Sequence, residues 1–446
     1  MEALRLFKVL NRDQRNTFIA CFLGWALDAL DFFLVTFVLA PIGHDFGQTI
    51  PKVAFAITLT LMMRPVGALI FGWLGDKFGR RVPLMADIIF YSVMELLTAF
   101  APNFTMFLIF RALYGIGMGG EWGLGASLAM ETLPTAARGL FSGILQQGYA
   151  FGYLLAAVVY WIVFPFFGWR GLFVAGALPA FLVLYIRTRV PESPAWLRRE
   201  RAKNFLPTVL RELAVPTVML LLAVGAFIEG YRIMVVCVVI VAIILAILLK
   251  PKHWVLFLYV IVLMTAFNAM SHGTQDMYQT FLGEQRHYGV TQKAATGIIY
   301  AFGAICGGTV VGHLSQNWGR RRSIILTAAF GIILIPLWMF SPGFALLVIG
   351  GFAMQFMVQG AWGIVPVHLN ELSPSAVRGT FPGFAYQLGN LFAANTAVVE
   401  AQLANHFRDA NGHPDYAKAL ALFTFVIFLV LMLLAAIGPE ERGKEF

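Results

Sequence analysis

The chain has 446 residues, of which 59% are hydrophobic and only 12% charged, and it carries a formal net charge of +9. A soluble globular protein has about 25% charged residues, so this composition excludes that class and points to an all-α polytopic membrane protein. The basic excess does not mark a nucleic-acid binder, because it is confined to alternate loops between apolar spans. Cys21, Cys237 and Cys306 all fall in apolar spans and offer neither a disulfide framework nor metal-ligand spacing.

The first 17 residues are polar and basic. They read as a short cytoplasmic tail, with no signal peptide. A bilayer crossing needs about 20 apolar residues. The first half then reads as six spans, near 18–40, 53–74, 83–101, 104–125, 140–165 and 170–187. Residues 188–213 form an Arg-rich linker that includes Pro191-Glu-Ser-Pro-Ala-Trp-Leu197. Residues 214–249 are apolar except for Glu229-Gly-Tyr-Arg232. One long helix there would turn the second half upside down and put Arg320-Arg-Arg322 outside. Two short helices keep the parity; a hairpin lying in the membrane surface is the alternative. Six further spans follow near 254–278, 292–314, 323–341, 344–367, 380–404 and 417–437. The expected organisation is a six-helix bundle at 1–187, a linker with a two-helix membrane insert at 188–253, and a second six-helix bundle at 254–446, fourteen helices in all.

With loops assigned alternately from an inside start, 23 of the 32 Lys and Arg fall inside, seven outside, and two (Arg64 and Arg111) within spans. This asymmetry predicts that both termini are cytoplasmic.

The two halves repeat. Gly72-Trp-Leu-Gly-Asp-Lys-Phe-Gly-Arg-Arg81 returns as Gly312-His-Leu-Ser-Gln-Asn-Trp-Gly-Arg-Arg321, and Glu131-Thr-Leu-Pro-Thr-Ala-Ala-Arg-Gly139 returns as Glu371-Leu-Ser-Pro-Ser-Ala-Val-Arg-Gly379. Leu27-Asp28-Ala-Leu-Asp31 against Phe267-Asn268-Ala-Met-Ser271 is a weaker third pair at the same 240-residue offset. A duplicated membrane protein predicts a transporter whose substrate site lies between the halves.

Charged groups within a membrane cost several kcal/mol unless paired or wetted, so they are functional candidates. The first span holds Asp28 and Asp31, the second Arg64, the third Asp87 and Glu95, the fourth Arg111 and Glu121. The seventh ends in Asn268-Ala-Met-Ser-His272-Gly-Thr-Gln275-Asp276. Asn268, His272 and Asp276 recur every four residues and share one helix face, which must line a wet cavity or the outer interface.

The Gly72, Asp76, Gly79, Arg80 and Arg81 pattern resembles the signature loop of the major facilitator superfamily. That resemblance implies a cytoplasmic latch of Asp76, Arg80, Arg81, Glu131 and Arg138 in the first half, with Arg320, Glu371 and Arg378 in the second. Gln316 replaces the acid in the second copy, so its latch is expected to be weaker. The string Asn268, Ser271, His272, Thr274, Gln275, Asp276 and Thr280 is similar to the signature of the Jen-type lactate and monocarboxylate permeases in the sialate:proton symporter group. Leu59 to Ala68, with Arg64, resembles that family's arginine-bearing second helix, and Gln387-Leu-Gly-Asn390 the Gln-x-x-Asn of its eleventh. The apolar insert departs from this pattern and resembles the fourteen-helix sialate branch.

The resemblance implies proton-coupled symport of a small monocarboxylate by alternating access, in a monomer; the compact termini and the lack of a targeting signal lead to the expectation of a bacterial inner membrane. It implies no cofactor or metal; sialic acid or another organic anion is the alternative substrate. Arg64 suits a carboxylate because its planar fork binds both oxygens and stays charged. Asn268, His272, Gln275, Gln387 and Asn390 can take the other polar groups, and Gln146, Tyr149 and Tyr153 can close the pocket. Asp28, Asp31, His272 and Asp276 are the proton-coupling candidates, Asp28 first. Arg111 is read as a structural partner of an acid such as Glu121 or Glu131. Pro65 is read as a local break in the second helix. A membrane-embedded enzyme is excluded because His272 has no second histidine at ligand spacing and no nucleophile motif is present.

Overall fold

A computed structural model describes residues 10–48, 50–198, 253–394, 396–408 and 412–445. The predicted insert at 214–249 lies outside the described residues. The first six spans appear as α1 (Arg12–Phe37), α2 (Ile50–Phe78), α3 (Arg81–Ala99), α4 (Phe104–Thr132), α5 (Arg138–Gln146), α6 (Gly148–Ala175) and α7 (Leu182–Arg189). The second six appear as α8 (Trp254–Gln275), α9 (Val290–Trp318), α10 (Arg320–Met339), α11 (Phe344–Trp362), α12 (Val365–Leu372), α13 (Phe381–Ala393), α14 (Thr396–His406) and α15 (Tyr416–Ile437). These form two six-helix bundles, and α5/α6, α11/α12 and α13/α14 are interrupted spans. Eight described helices are long and apolar enough to cross a membrane, or nine with one bent pair.

Local signals set the ends. Asn11 and Gln14 form a reciprocal capping box at the start of α1. The Asn103 side chain accepts from Met106 N at 2.9 Å and caps α4. Gly79 and Gly319, at φ +95° and +97°, make the sharp turns into α3 and α10, a conformation that disfavours any side chain. Gly168, at φ 61°, turns the chain inside α6, so the fifth and sixth spans are separate there. Contrary to the break expected at Pro65, α2 runs continuously through it. Proline removes one N–H donor, and the rest of the ladder suffices to carry the helix on.

Lipid gives helices no hydrophobic reason to associate, so close backbone approach matters. A Cβ at Gly67 would stand 1.6 Å from the Ile116 carbonyl oxygen, and one at Gly119 1.9 Å from that of Arg64, so α2 and α4 touch backbone to backbone. Gly307 repeats this in the second bundle, where its Cβ would lie 2.0 Å from the Phe356 oxygen of α11.

The two bundles meet tightly at the end that carries the arginine-rich loops, here the basic end. Gly123 of α4 faces Gly383 of α13, and Gly143 of α5 faces Gly308 and Gly312 of α9. Ser142 Oγ donates to Gly363 O at 2.8 Å and accepts from Val367 N at 3.0 Å. Ser127 Oγ donates to Arg378 O at 2.9 Å.

Replacing Gly67 by leucine forces backbones apart and should cost upwards of about 3 kcal/mol. The expected result is loss of the monodisperse peak in detergent gel filtration. Gly343→Ala, where a Cβ meets nothing within 4 Å, should behave as wild type.

Candidate functional site

At the basic end, buried charges close on one another. Arg80 donates to Gly75 O at 2.7 Å, to Asp76 Oδ1 at 2.8 Å, and to Glu131 through Nε and Nη2 at 3.3 and 3.1 Å. Arg320 repeats the pattern with Ser315, Gln316 and Glu371, at 2.7, 2.8 and 3.0–3.1 Å. The copies then diverge. Asp76 accepts from Gly379 N, Thr380 N and Thr380 Oγ1 of the opposite bundle, at 2.8, 3.0 and 2.7 Å. Gln316, lacking the charge, binds Arg320 within its own bundle. Glu131 approaches Arg378 Nη1 at 4.0 Å, and Arg138 Nη1 donates to Lys444 O at 2.8 Å. Arg81 donates to Arg187 O at 2.5 Å, within its own bundle.

A second repeat escapes the 240-residue offset. Glu192 accepts from the amides of Arg80 and Arg81 at 2.8 and 3.2 Å, capping α3. Glu440 accepts from those of Arg320 and Arg321, both at 2.9 Å, capping α10. Carboxylates at helix N-termini are favoured by the exposed amides and the helix dipole. The signal was present as Pro191-Glu192 and Pro439-Glu440, one after each bundle's last span, but at an offset of 248.

Midway between the ends, charges are buried without closure. Arg64 is 2% exposed, and its Nε and Nη2 have no hydrogen-bond partner among the described residues. It lies 5.9 Å from the Phe32 ring and within electrostatic reach of Asp28, Glu121, Tyr149, Tyr386 and His272. Asp28, Asp31, Asp87 and Glu121 are fully or almost fully buried with both carboxylate oxygens unpartnered among the described residues. Arg111 pairs with Glu95 at 2.6 Å and sits 4.2 Å from the Tyr114 ring centroid. The expected partners Glu121 and Glu131 are therefore wrong. Glu131 is held by Arg80 at the basic end, whereas Glu121 lies against Gly24 of α1.

From the second bundle, His272 stands between two acceptors, with Nδ1 3.0 Å from Asp276 Oδ2 and Nε2 3.3 Å from Asn390 Oδ1. Asn268 is buried and turns its amide back to Met264 O at 2.8 Å. Farther from the basic end, the His272 and Asp276 side chains are 33% and 39% exposed. Gln275 is used within its bundle, donating to Ser271 Oγ and Gln355 Oε1 at 3.1 and 3.2 Å. Gln387 is buried with both amide atoms unpartnered among the described residues.

The walls are aromatic. Trp122 of α4 stacks on Tyr386 of α13 across the bundles, with centroids 4.6 Å apart, and Trp362 meets the same tyrosine edge-on. Gln146 accepts from Trp122 Nε1 at 3.2 Å. Tyr149 stacks on Trp25, while Tyr153 packs against Phe33 and Phe37. The cross-bundle pair Trp122–Tyr386 and the buried Gln355 and Glu400 gave no warning in the sequence, since an aromatic or lone polar residue in an apolar span reads as packing.

The profile of the family described as "Sugar (and other) transporter" matches residues 18–216 and 274–436. A carboxylic acid transporter protein homolog of Saccharomyces cerevisiae is 30% identical over 96% of this chain and 69% of its own length. A probable 4-methylmuconolactone transporter of Cupriavidus pinatubonensis is 30% identical over 98% of this chain and 93% of its own. The solved major facilitator superfamily proton:xylose symporter XylE, bound to 6-bromo-6-deoxy-D-glucose, superposes with a TM-score of 0.69 at 19% identity, covering 97% of each chain.

A hydrogen bond to a charged group contributes about 1.5–3 kcal/mol, and about 1.4 kcal/mol is tenfold in an equilibrium. Asp76→Ala should thus weaken closure of the basic end at least tenfold. Spin labels at positions 77 and 317 should report a longer, broader distance distribution. Gln316→Ala should leave it unchanged.

Proposed function

As the chain belongs to the sugar (and other) transporter family and has the major facilitator fold, we propose that it carries an organic acid, by proton-coupled symport of a small monocarboxylate of the lactate and pyruvate class. The observation that carries this reading is Arg64. A guanidinium stays charged wherever it is placed, and a buried, unpaired charge is strongly destabilising. A substrate carboxylate in bidentate contact is the partner that relieves it. The name of the yeast relative, a carboxylic acid transporter protein homolog, agrees with an anionic substrate.

The second carboxylate oxygen and an α-hydroxyl or keto group fall to Gln387, Asn390 and His272, with Asn268 and Gln275 behind them. Gln146 and Tyr149 close the first-bundle side. Midway along the first bundle five buried carboxyls (Asp28, Asp31, Asp87, Glu95 and Glu121) face two buried arginines (Arg64 and Arg111), so bound protons are the simplest way to balance the charge. Asp28, on α1 and within reach of Arg64, is the first proton carrier in this mechanism. Asp31 and the His272–Asp276 pair are the others. Proton and anion enter together, the neutralised site lets the bundles rock, and both leave on the far side.

Positive loops stay on the cytoplasmic side of a membrane, so this reading assigns the closed basic end, where α1 begins and Lys444 meets Arg138, to the cytoplasm. The described conformation is then outward-facing, in a bacterial inner membrane. A second reading is favoured by the aromatic walls of Trp25, Trp122, Tyr149, Trp362 and Tyr386. A flat, unsaturated acid stacks on such surfaces.

The decisive experiment is labelled L-lactate uptake into proteoliposomes with an acidic exterior, competed by pyruvate, by an aromatic carboxylate and by sialic acid. Uptake should overshoot equilibrium and collapse with a protonophore. Asp28→Asn should lose accumulation but keep lactate exchange, and Arg64→Ala should lose both. No lactate uptake by folded protein would sink the monocarboxylate reading.

A further inference from the structure

Glu400 of α14 is fully buried, and neither carboxylate oxygen has a hydrogen-bond partner among the described residues. It sits where α8, α14 and α15 converge. A Cβ built on Gly273 would lie 3.2 Å from Glu400 Oε1 and 2.5 Å from the Phe423 ring of α15, so only glycine leaves room for both neighbours. Gly273 directly follows His272, whose imidazole joins Asp276 to Asn390. Asp276 is the charged group within electrostatic reach of Glu400. The other titratable residues of the packed elements are Tyr259 and His272 on α8, His406 on α14 itself, and Tyr416 and Lys418 in the first turn of α15, where Lys418 is held by Asp415 at 3.0 Å; Tyr300 of α9 is also within electrostatic reach of Glu400.

Two neighbouring carboxyls resist being ionised together, and a carboxylate buried without a donor costs several kcal/mol, so proton binding is the cheapest relief open to Glu400. We propose that Glu400 is a proton-carrying carboxyl of the second bundle, loading a proton separately from the acids of α1 and sensed by the His272–Asp276–Asn390 chain through Gly273. This rests on the reading of the protein as a proton-coupled carrier. The step is a simple transfer: a hydronium ion from the acidic side gives its proton to a Glu400 carboxylate oxygen and leaves as water. On the opposite side the O–H bond breaks and the proton passes to water. While Glu400 is neutral, the His272–Asp276 contact is undisturbed and holds Asn390 in place for the substrate. When Glu400 ionises, the like charge disfavours that arrangement and promotes release.

The inference makes a prediction that needs no substrate. In infrared difference titration of the purified protein, the C=O stretch of a protonated carboxyl should persist well above the pH at which free carboxylates ionise. Glu400→Gln should lose one such component, and Asp28→Asn a different one. In proteoliposomes driven by a proton gradient, Glu400→Gln should keep labelled lactate exchange but carry fewer protons per lactate and show a shifted pH profile; Gly273→Ala should shift the same profile. An infrared titration unchanged by Glu400→Gln would overturn the proposal, as would an unchanged proton count and pH profile. Loss of exchange in a folded Glu400→Gln variant would also overturn it, making Glu400 a binding or structural group. Wild-type protein that shows the Glu400 band without proton-driven accumulation would instead overturn the carrier reading on which the proposal rests.

Discussion

Lipid offers no hydrogen bonds, so each charge placed at membrane depth must be closed by the protein or by what it carries. The two ends of this requirement are both visible here. At the basic end Arg80 and Arg320 spend their donors on acids, carbonyls and a serine hydroxyl of their own bundles. In the middle, Arg64 and a group of carboxyls are buried with donors and acceptors unspent. A chain that closes its charges so thoroughly at one level has the means to do so at the other. The proposed function takes these open positions as places for an anion and for protons.

Duplication supplies the architecture, and small departures from it supply direction. Arg80 with Glu131 and Glu192 is matched, group for group, by Arg320 with Glu371 and Glu440. The exchange of Asp76 for Gln316 breaks the match at the interface. A carboxylate accepts from two backbone amides and a hydroxyl of α13's approach segment, whereas the neutral amide keeps to Arg320. One bundle therefore grips the other through a charged acceptor, and the reverse grip is neutral. Glycine pairs that bring backbones together at α4/α13 and α5/α9 make this grip short-ranged, so a small tilt is enough to release it.

How much of this was legible follows from what sequence periodicity can and cannot encode. Apolar stretches of membrane length marked the spans, and the 240-residue offset paired Arg80 with Arg320 and Glu131 with Glu371 before any contact was known. Choice of partner was not legible. Arg111 meets Glu95 rather than Glu121 or Glu131 because partner choice depends on the rotation and depth of α3 against α4, which no single-helix pattern fixes. Pro65 was misread because a proline's local cost says nothing of the packing that holds a helix straight. Glu400 was missed for a related reason: one acid near the end of an apolar span looks like an interfacial group. Only the convergence of α8, α14 and α15 makes it buried.

The site and the latch are joined by rigid pieces of chain. Arg64 and Asp76 lie on the same continuous helix α2, twelve residues apart, a rise of about 18 Å. Gln387 and Asn390 lie on α13, which begins directly after the Gly379-Thr380 amides that Asp76 grips. Glu121 and Glu131 share α4, one near Arg64 and the other bound to Arg80. In the proposed mechanism, an anion drawn toward Arg64 on one side and toward Gln387 and Asn390 on the other would pull α2 and α13 together at the level of the site. Since both helices run unbroken to the latch, that pull acts as a lever on the Asp76 contact. A ligand shifts an equilibrium only by its differential affinity for the two states. In the proposed mechanism the differential would arise because the substrate's two ends bind helices whose far ends carry the Asp76 contact.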